Sequence, residues 1–165
     1  MSKFSQLSEG LTKARAYRAE RHKTVARLVG AMLEQIGGLW GLNDEDRRAV
    51  LLVRPFGDPN LGDSMTVNKA LTDDEEGFRF RLEVRVPDDR IDDVARIPFD
   101  VLIQPTDATA FKCFINGGRD FISLDSRTSM GFDDVSNRIF GTVYNALDPN
   151  HTPWRPYTSA TRHQA

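Results

Sequence analysis

The segment FRFRLEVRV, residues 78–86, alternates without a break: Phe78, Phe80, Leu82, Val84 and Val86 against Arg79, Arg81, Glu83 and Arg85. Successive side chains leave a strand on opposite faces, so a period of two over nine residues describes a strand with one dry face and one wet face. An antiparallel sheet is the arrangement that can cover one face and leave the other in water. Whatever the fold, it must supply a layer for the phenylalanine side.

The flanks offer two such layers. Ser8–Ile36 has good helix formers, no proline, and Gly37-Gly38 as a stop. Its second half carries Val25, Leu28, Val29, Met32, Leu33 and Ile36 at helical spacing. Traced backwards, the stripe meets His22, Arg21 and Arg18 before Ala14 and Leu11. The C-terminal half is therefore expected to pack and the N-terminal half to project. Gly131–Leu147 is the second helix, with a stripe of Phe132, Val135, Ile139, Val143 and Ala146 or Leu147, Asp133 and Asp134 in its first turn, and Pro149 beyond its end.

Between the helices the pattern is that of strands and turns. Asn43 caps a short acidic turn, and Ala49–Val53 is assigned to a strand, although a helix beginning at Asp44 fits the same residues. Residues 55–63 are turn chemistry, Ser64–Leu71 is assigned to a strand, and residues 87–98 hold a helical turn. Phe99, Val101 and Ile103 alternate with Asp100, Leu102 and Gln104. Asn116-Gly117 joins Ala110–Ile115 to Arg119–Leu124, because both turn residues accept the positive φ a tight hairpin needs. The expected fold is α+β: a long N-terminal helix, a mostly antiparallel sheet of about five or six strands, and a C-terminal helix packed on one sheet face. One domain spans residues 1–150. Residues 151–165 form an extended or disordered tail, in which Trp154 and Tyr157 are the residues expected to dock.

Charge is unevenly spread over a chain whose net is −2. Residues 1–30 carry seven basic side chains against Glu9 and Glu20, whereas residues 43–107 carry nine basic and sixteen acidic ones. A basic arm of this kind meets an acidic partner, its own acidic body, or that of a second copy. No apolar run approaches the roughly 20 residues needed to span a bilayer. The first eighteen residues lack the apolar core of a secretory signal, and Cys113 is the only cysteine. These features point to a reducing, cytoplasmic setting.

Chemistry-bearing motifs are scarce. The acidic pairs Asp73-Asp74, Glu75-Glu76, Asp88-Asp89, Asp92-Asp93 and Asp133-Asp134 fall at turns and helix starts, where aspartate serves local hydrogen bonding. His22, His151 and His163 lack metal-ligand spacing. Cys113 alternates with Phe111 and Ile115 and is expected to face the core. There is no nucleophile elbow, phosphate loop or dinucleotide fingerprint. No catalytic residue, metal ligand or cofactor is assigned.

The expected function is that of a small non-enzymatic protein-binding module: an inhibitor, chaperone or assembly factor that occupies a partner's surface. The contact residues expected are Arg79, Arg81 and Arg85 on the strand, Arg15, Arg18 and Arg21 on the first helix, and Trp154 and Tyr157 in the tail, since arginine and large aromatics carry most interface energy. Self-association through the first helix would cover its interrupted stripe. The alternatives are a nucleic-acid binder using the basic helix and the arginine strand, and a metal-dependent hydrolase; no membrane contact is expected.

Overall fold

A computed structural model describes residues 2–57, 65–88, 93–148 and 157–158, the side chains of Asp88, Asp93, Tyr157 and Thr158 excepted. Four helices occur among these residues: α1 (Lys3–Leu39), α2 (Asp44–Val50), α3 (Val67–Ala70) and α4 (Phe132–Leu147). The strands are β1 (Leu51–Arg54), β2 (Thr72–Asp73), β3 (Phe78–Asp88), β4 (Asp93–Pro105), β5 (Ala110–Ile115), β6 (Ile122–Asp125) and β7 (Tyr157–Thr158). They make one antiparallel sheet in the order β1-β3-β4-β5-β6, with β2 beside β3 and β7 beside β4. The expected α+β architecture is the one observed.

Strand β3 lies inside the sheet, between β1 and β4. Phe78, Phe80, Leu82 and Val84 are buried, as are Ile97, Phe99, Val101 and Ile103 opposite them on β4, and Phe111, Cys113 and Ile115 on β5. The C-terminal half of α1 and the inner face of α4 cover this layer with Val25, Val29, Met32 and Ile36, and with Phe132, Val135 and Ile139. Polar ties hold the helices together: Gln35 Nε2 donates to Asp133 Oδ1 at 3.1 Å, and Trp40 Nε1 to Ser136 Oγ at 3.0 Å. Each fully buried aliphatic or aromatic side chain contributes about 1.5–3 kcal/mol.

Several boundaries differ from the expected ones for identifiable reasons. Helix α1 runs through Gly37-Gly38 to Leu39, and Gly41 beyond the Trp40 cap, with φ of +73°, is the left-handed residue of a Schellman motif. Gly41 N–H donates to the Gly38 carbonyl at 3.1 Å and Leu42 N–H to that of Gly37 at 2.8 Å. Gly37 is needed for room instead: a Cβ there would lie 2.9 Å from the Arg47 side chain. Residues 44–53 divide into a helix capped by Asn43, whose Oδ1 accepts from Asp46 N–H at 2.8 Å, and the buried strand β1. The expected strand over Ser64–Leu71 is instead the single turn α3 among the described residues, which presents Asn68 and Ala70 to α1.

Of the segment 87–98, expected to hold a helical turn, residues 87–88 end β3 and residues 93–98 begin β4; residues 89–92, where that turn would fall, lie outside the described residues. The Asn116-Gly117 turn forms, with φ of +55° and +67°, but β6 begins only at Ile122 rather than at Arg119. Asn116 pairs with β4 instead of extending the hairpin: its N–H donates to the Asp100 carbonyl at 2.7 Å and its Oδ1 accepts from Asp100 N–H at 2.9 Å.

Candidate functional site: the free half of the first helix and the outer sheet face

Helix α1 changes character at residue 21. From Ser2 to Glu20 every residue is exposed, a length of about 27 Å. Phe4, Leu7 and Leu11 lie at i, i+3 and i+7, so they share one side of the helix, and they are 79%, 72% and 53% exposed. Ser2 caps the helix by accepting from Ser5 N–H at 3.1 Å, and Glu9 pairs with Lys13 at 2.8 Å. No acidic residue stands in the first turn to offset the helix dipole.

The three helix arginines have different fates. Arg15 and Arg18 are exposed. Arg21 is tied to the body: its Nη2 donates to the Asp107 carbonyl at 2.7 Å, its Nη1 to the Ala108 carbonyl at 3.3 Å, and its guanidinium lies 5.5 Å from the Tyr17 ring and 5.7 Å from that of Phe111. At the next residue, His22 Nε2 donates to the Asn68 carbonyl at 2.8 Å, and its ring meets the Phe78 ring edge-on at 5.9 Å. Arg21 and His22 are thus the hinge between the free and the packed halves. The turn that receives Arg21 is stiffened by Asp107, whose carboxylate accepts from the N–H groups of Thr109 and Ala110, both at 2.8 Å, and is held below its ordinary 3.8 by them.

On the outer sheet face the arginine row does not stand open. Arg79 Nε donates to Asp74 Oδ2 at 2.6 Å, its Nη2 pairs with Glu76, and its guanidinium sits 5.4 Å from the Phe56 ring. Burial alone would raise the Asp74 carboxyl. The N–H groups of Glu76 and Gly77 together with Arg79 outweigh that and hold it below 3.8. Arg85 Nε donates to the buried Glu83 at 2.9 Å. Arg81 stands opposite Arg54 on one side and Asp100 on the other. Arg79 and Arg85 are therefore engaged by carboxylates of the same chain, which leaves Arg15 and Arg18 on the helix as more accessible basic residues. Between the two lies a cleft of about 780 Å³, walled by Arg18 and Arg21 on one side and Asp73–Glu76 on the other.

A further surface escaped the sequence reading. Phe140 and Tyr144 stack at 6.1 Å on the outer side of α4, and Phe140 meets the Trp40 ring edge-on at 5.8 Å. Leu39 and Leu147 extend this exposed apolar patch. Its signal was present as a second stripe, Phe140, Tyr144 and Leu147 at i, i+4 and i+7, offset by one residue from the core stripe. Trp154 lies outside the described residues; Tyr157 is described as backbone, paired with Arg96.

Other chemistry is sparse. Cys113 is buried, and burial pushes its thiol up to about 12. Among the described residues no three His, Cys, Asp or Glu side chains converge as a metal cage, and no helix is long and apolar enough to cross a membrane. Compared with models of known families, with curated proteins and with solved structures, the chain finds no match in any of the three.

Proposed function

We propose that this chain is a small, non-enzymatic protein-binding module of the cytoplasm that acts by occupying a partner's surface, in the manner of an inhibitor, chaperone or assembly factor. The observation that supports this reading best is the exposed stripe Phe4, Leu7 and Leu11 on the free half of α1. A helical extension adds residues without paying again for nucleation, but each added turn is close to neutral in water. Three large side chains whose burial is worth about 1.5–3 kcal/mol each are left to be covered by something other than this body. An amphipathic helix laid in an apolar groove is a recurring recognition mode, and Arg15 and Arg18 beside the stripe favour a groove with an acidic rim.

The test is retrieval of a stable complex from native lysate with wild type and with Leu7→Glu/Leu11→Glu, alongside light scattering of the purified chain. The expected result is a discrete partner lost in the double variant while circular dichroism stays native. A dimer of the purified chain that the same substitutions dissociate would identify the partner as a second copy. Wild type and variant behaving alike in both measurements would overturn the reading, as would association with nucleic acid that falls steeply with salt.

A further inference from the structure

The chain exposes two apolar surfaces, one a ridge and the other a groove. The ridge is Phe4, Leu7 and Leu11 on the free half of α1. The groove, of about 650 Å³, is walled by Leu39, Trp40, Leu42, Val50 and Phe140 where the end of α1 meets α4. Phe140 stacks on Tyr144 and meets Trp40 edge-on, so the wall continues as an aromatic patch along α4. Leu39, Phe140 and Tyr144 are each more than half exposed. Single exposed side chains are ordinary, but a contiguous apolar patch marks a contact surface.

The two surfaces are opposite in charge. On residues 2–20, Glu9 and Glu20 are engaged by Lys13 and Lys23, which leaves Lys3, Arg15 and Arg18 to set the sign. Among the described residues that wall the groove, Asp133 alone is charged. Asp134 beside it is exposed, and Leu42 leads into the exposed first turn of α2 with Asp44, Glu45 and Asp46. Matched potentials of this kind fix orientation and speed encounter. The ridge cannot reach the groove of its own chain, because Leu11 and Leu39 lie about 42 Å apart on one continuous helix.

We propose that the groove between the end of α1 and the outer side of α4 receives the free half of α1 from a second copy of this chain. The inference rests on the binding-module reading: the same stripe inserts in both cases, and a foreign partner competes with the second copy for it. One helix in one groove is small beside the roughly 1,600 Å² that a stable interface buries. Reciprocal insertion doubles the area and closes the assembly as a dimer instead of a filament. Phe4 and Leu39 stand at opposite ends of α1, so two such helices set antiparallel carry each ridge toward the other's groove.

Sedimentation equilibrium of the purified full chain is expected to show a dimer. Leu7→Glu/Leu11→Glu and Phe140→Glu each weaken it about 100-fold, since a charge enters an apolar contact. Asp134→Lys weakens it about ten-fold. Circular dichroism stays native in all three, and Tyr144→Glu replaces Phe140→Glu should that variant fail to fold. Mixing then separates ridge-in-groove from ridge-on-ridge contact. Phe140→Glu keeps an intact ridge and Leu7→Glu/Leu11→Glu an intact groove. A Phe140→Glu chain with a C-terminal fluorophore should therefore gain anisotropy when titrated with Leu7→Glu/Leu11→Glu, but not when titrated with itself. A monomer at every concentration, a dimer indifferent to both Phe140→Glu and Tyr144→Glu, or variants that do not complement on mixing would overturn the proposal. A monomer that still loses a lysate partner on Leu7→Glu/Leu11→Glu would sink this proposal and leave the binding reading standing. Wild type and that double variant alike in both lysate and sedimentation would sink both.

Discussion

The C-terminal half of α1 lies across the sheet, with Val25, Val29, Met32 and Ile36 fully sequestered, while the N-terminal half from Lys3 to Glu20 touches water on every side. Both halves are rich in good helix formers, and both carry large apolar side chains at helical spacing. The difference lies in what faces them. One half meets phenylalanines of β3 and the inner side of α4; the other runs past the edge of the body. Helix propensity sets the backbone in both, but tertiary burial sets stability in one alone. A chain that keeps a free amphipathic half holds binding energy in reserve for another surface.

Substitutions in the two halves should diverge most. Met32→Ala is expected to cost about 2–5 kcal/mol in denaturant unfolding, and Leu11→Ala less than about 0.5 kcal/mol, because only the first opens a cavity. Comparable losses at both positions would break the contrast. Gly131→Ala sharpens it from the other side. Gly131 has φ +85°, and an added Cβ would press on the Ser123 carbonyl oxygen, so α4 would have to shift away from the sheet. A loss of about 1–3 kcal/mol is expected, with the packed half of α1 loosening as its neighbour does. An unchanged unfolding midpoint would show that α4 is not what holds that half.

Smaller effects should appear at the hinge. Arg21→Ala removes the donors to the Asp107 and Ala108 carbonyls, so amide protection along α1 should begin about one turn later while global stability changes by less than about 1 kcal/mol. Protection starting at the same residue would remove Arg21 from the hinge. The smallest effect is that of acid. The Asp107 carboxyl is lowered, so its contribution to the turn is complete above its ordinary 3.8 and is lost as pH falls through the lower folded-state value. The Thr109 and Ala110 amide resonances should hold steady above about pH 4 and move only below it. Movement near neutral pH would contradict the assignment.

How far the residues announced this arrangement varies with range. The alternation at Phe78–Val86 foretold which side of β3 is dry, and the interruption of the α1 stripe by Arg18, Arg21 and His22 foretold the change at the hinge. Both signals are local periods imposed by burial. The engagement of Arg79 was not legible, because Asp74 and Glu76 reach it through a turn whose Gly77 takes φ +149° against the Ile103 carbonyl. The four-residue α3 is too short for a period, and its identity comes from the contact of Asn68 with His22. The tail strand pairs across some sixty residues of sequence, with only the aromatics Trp154 and Tyr157 as a hint that the segment docks at all.

The contrast between the halves of α1 is most directly read by amide hydrogen exchange of the full chain, at a concentration where light scattering reports a monomer. Residues 3–20 should exchange orders of magnitude faster than residues 25–36, whose opening approaches global unfolding. Equal protection of the two stretches in the monomer would mean that the body already holds the whole helix, and that no free half exists to bind with.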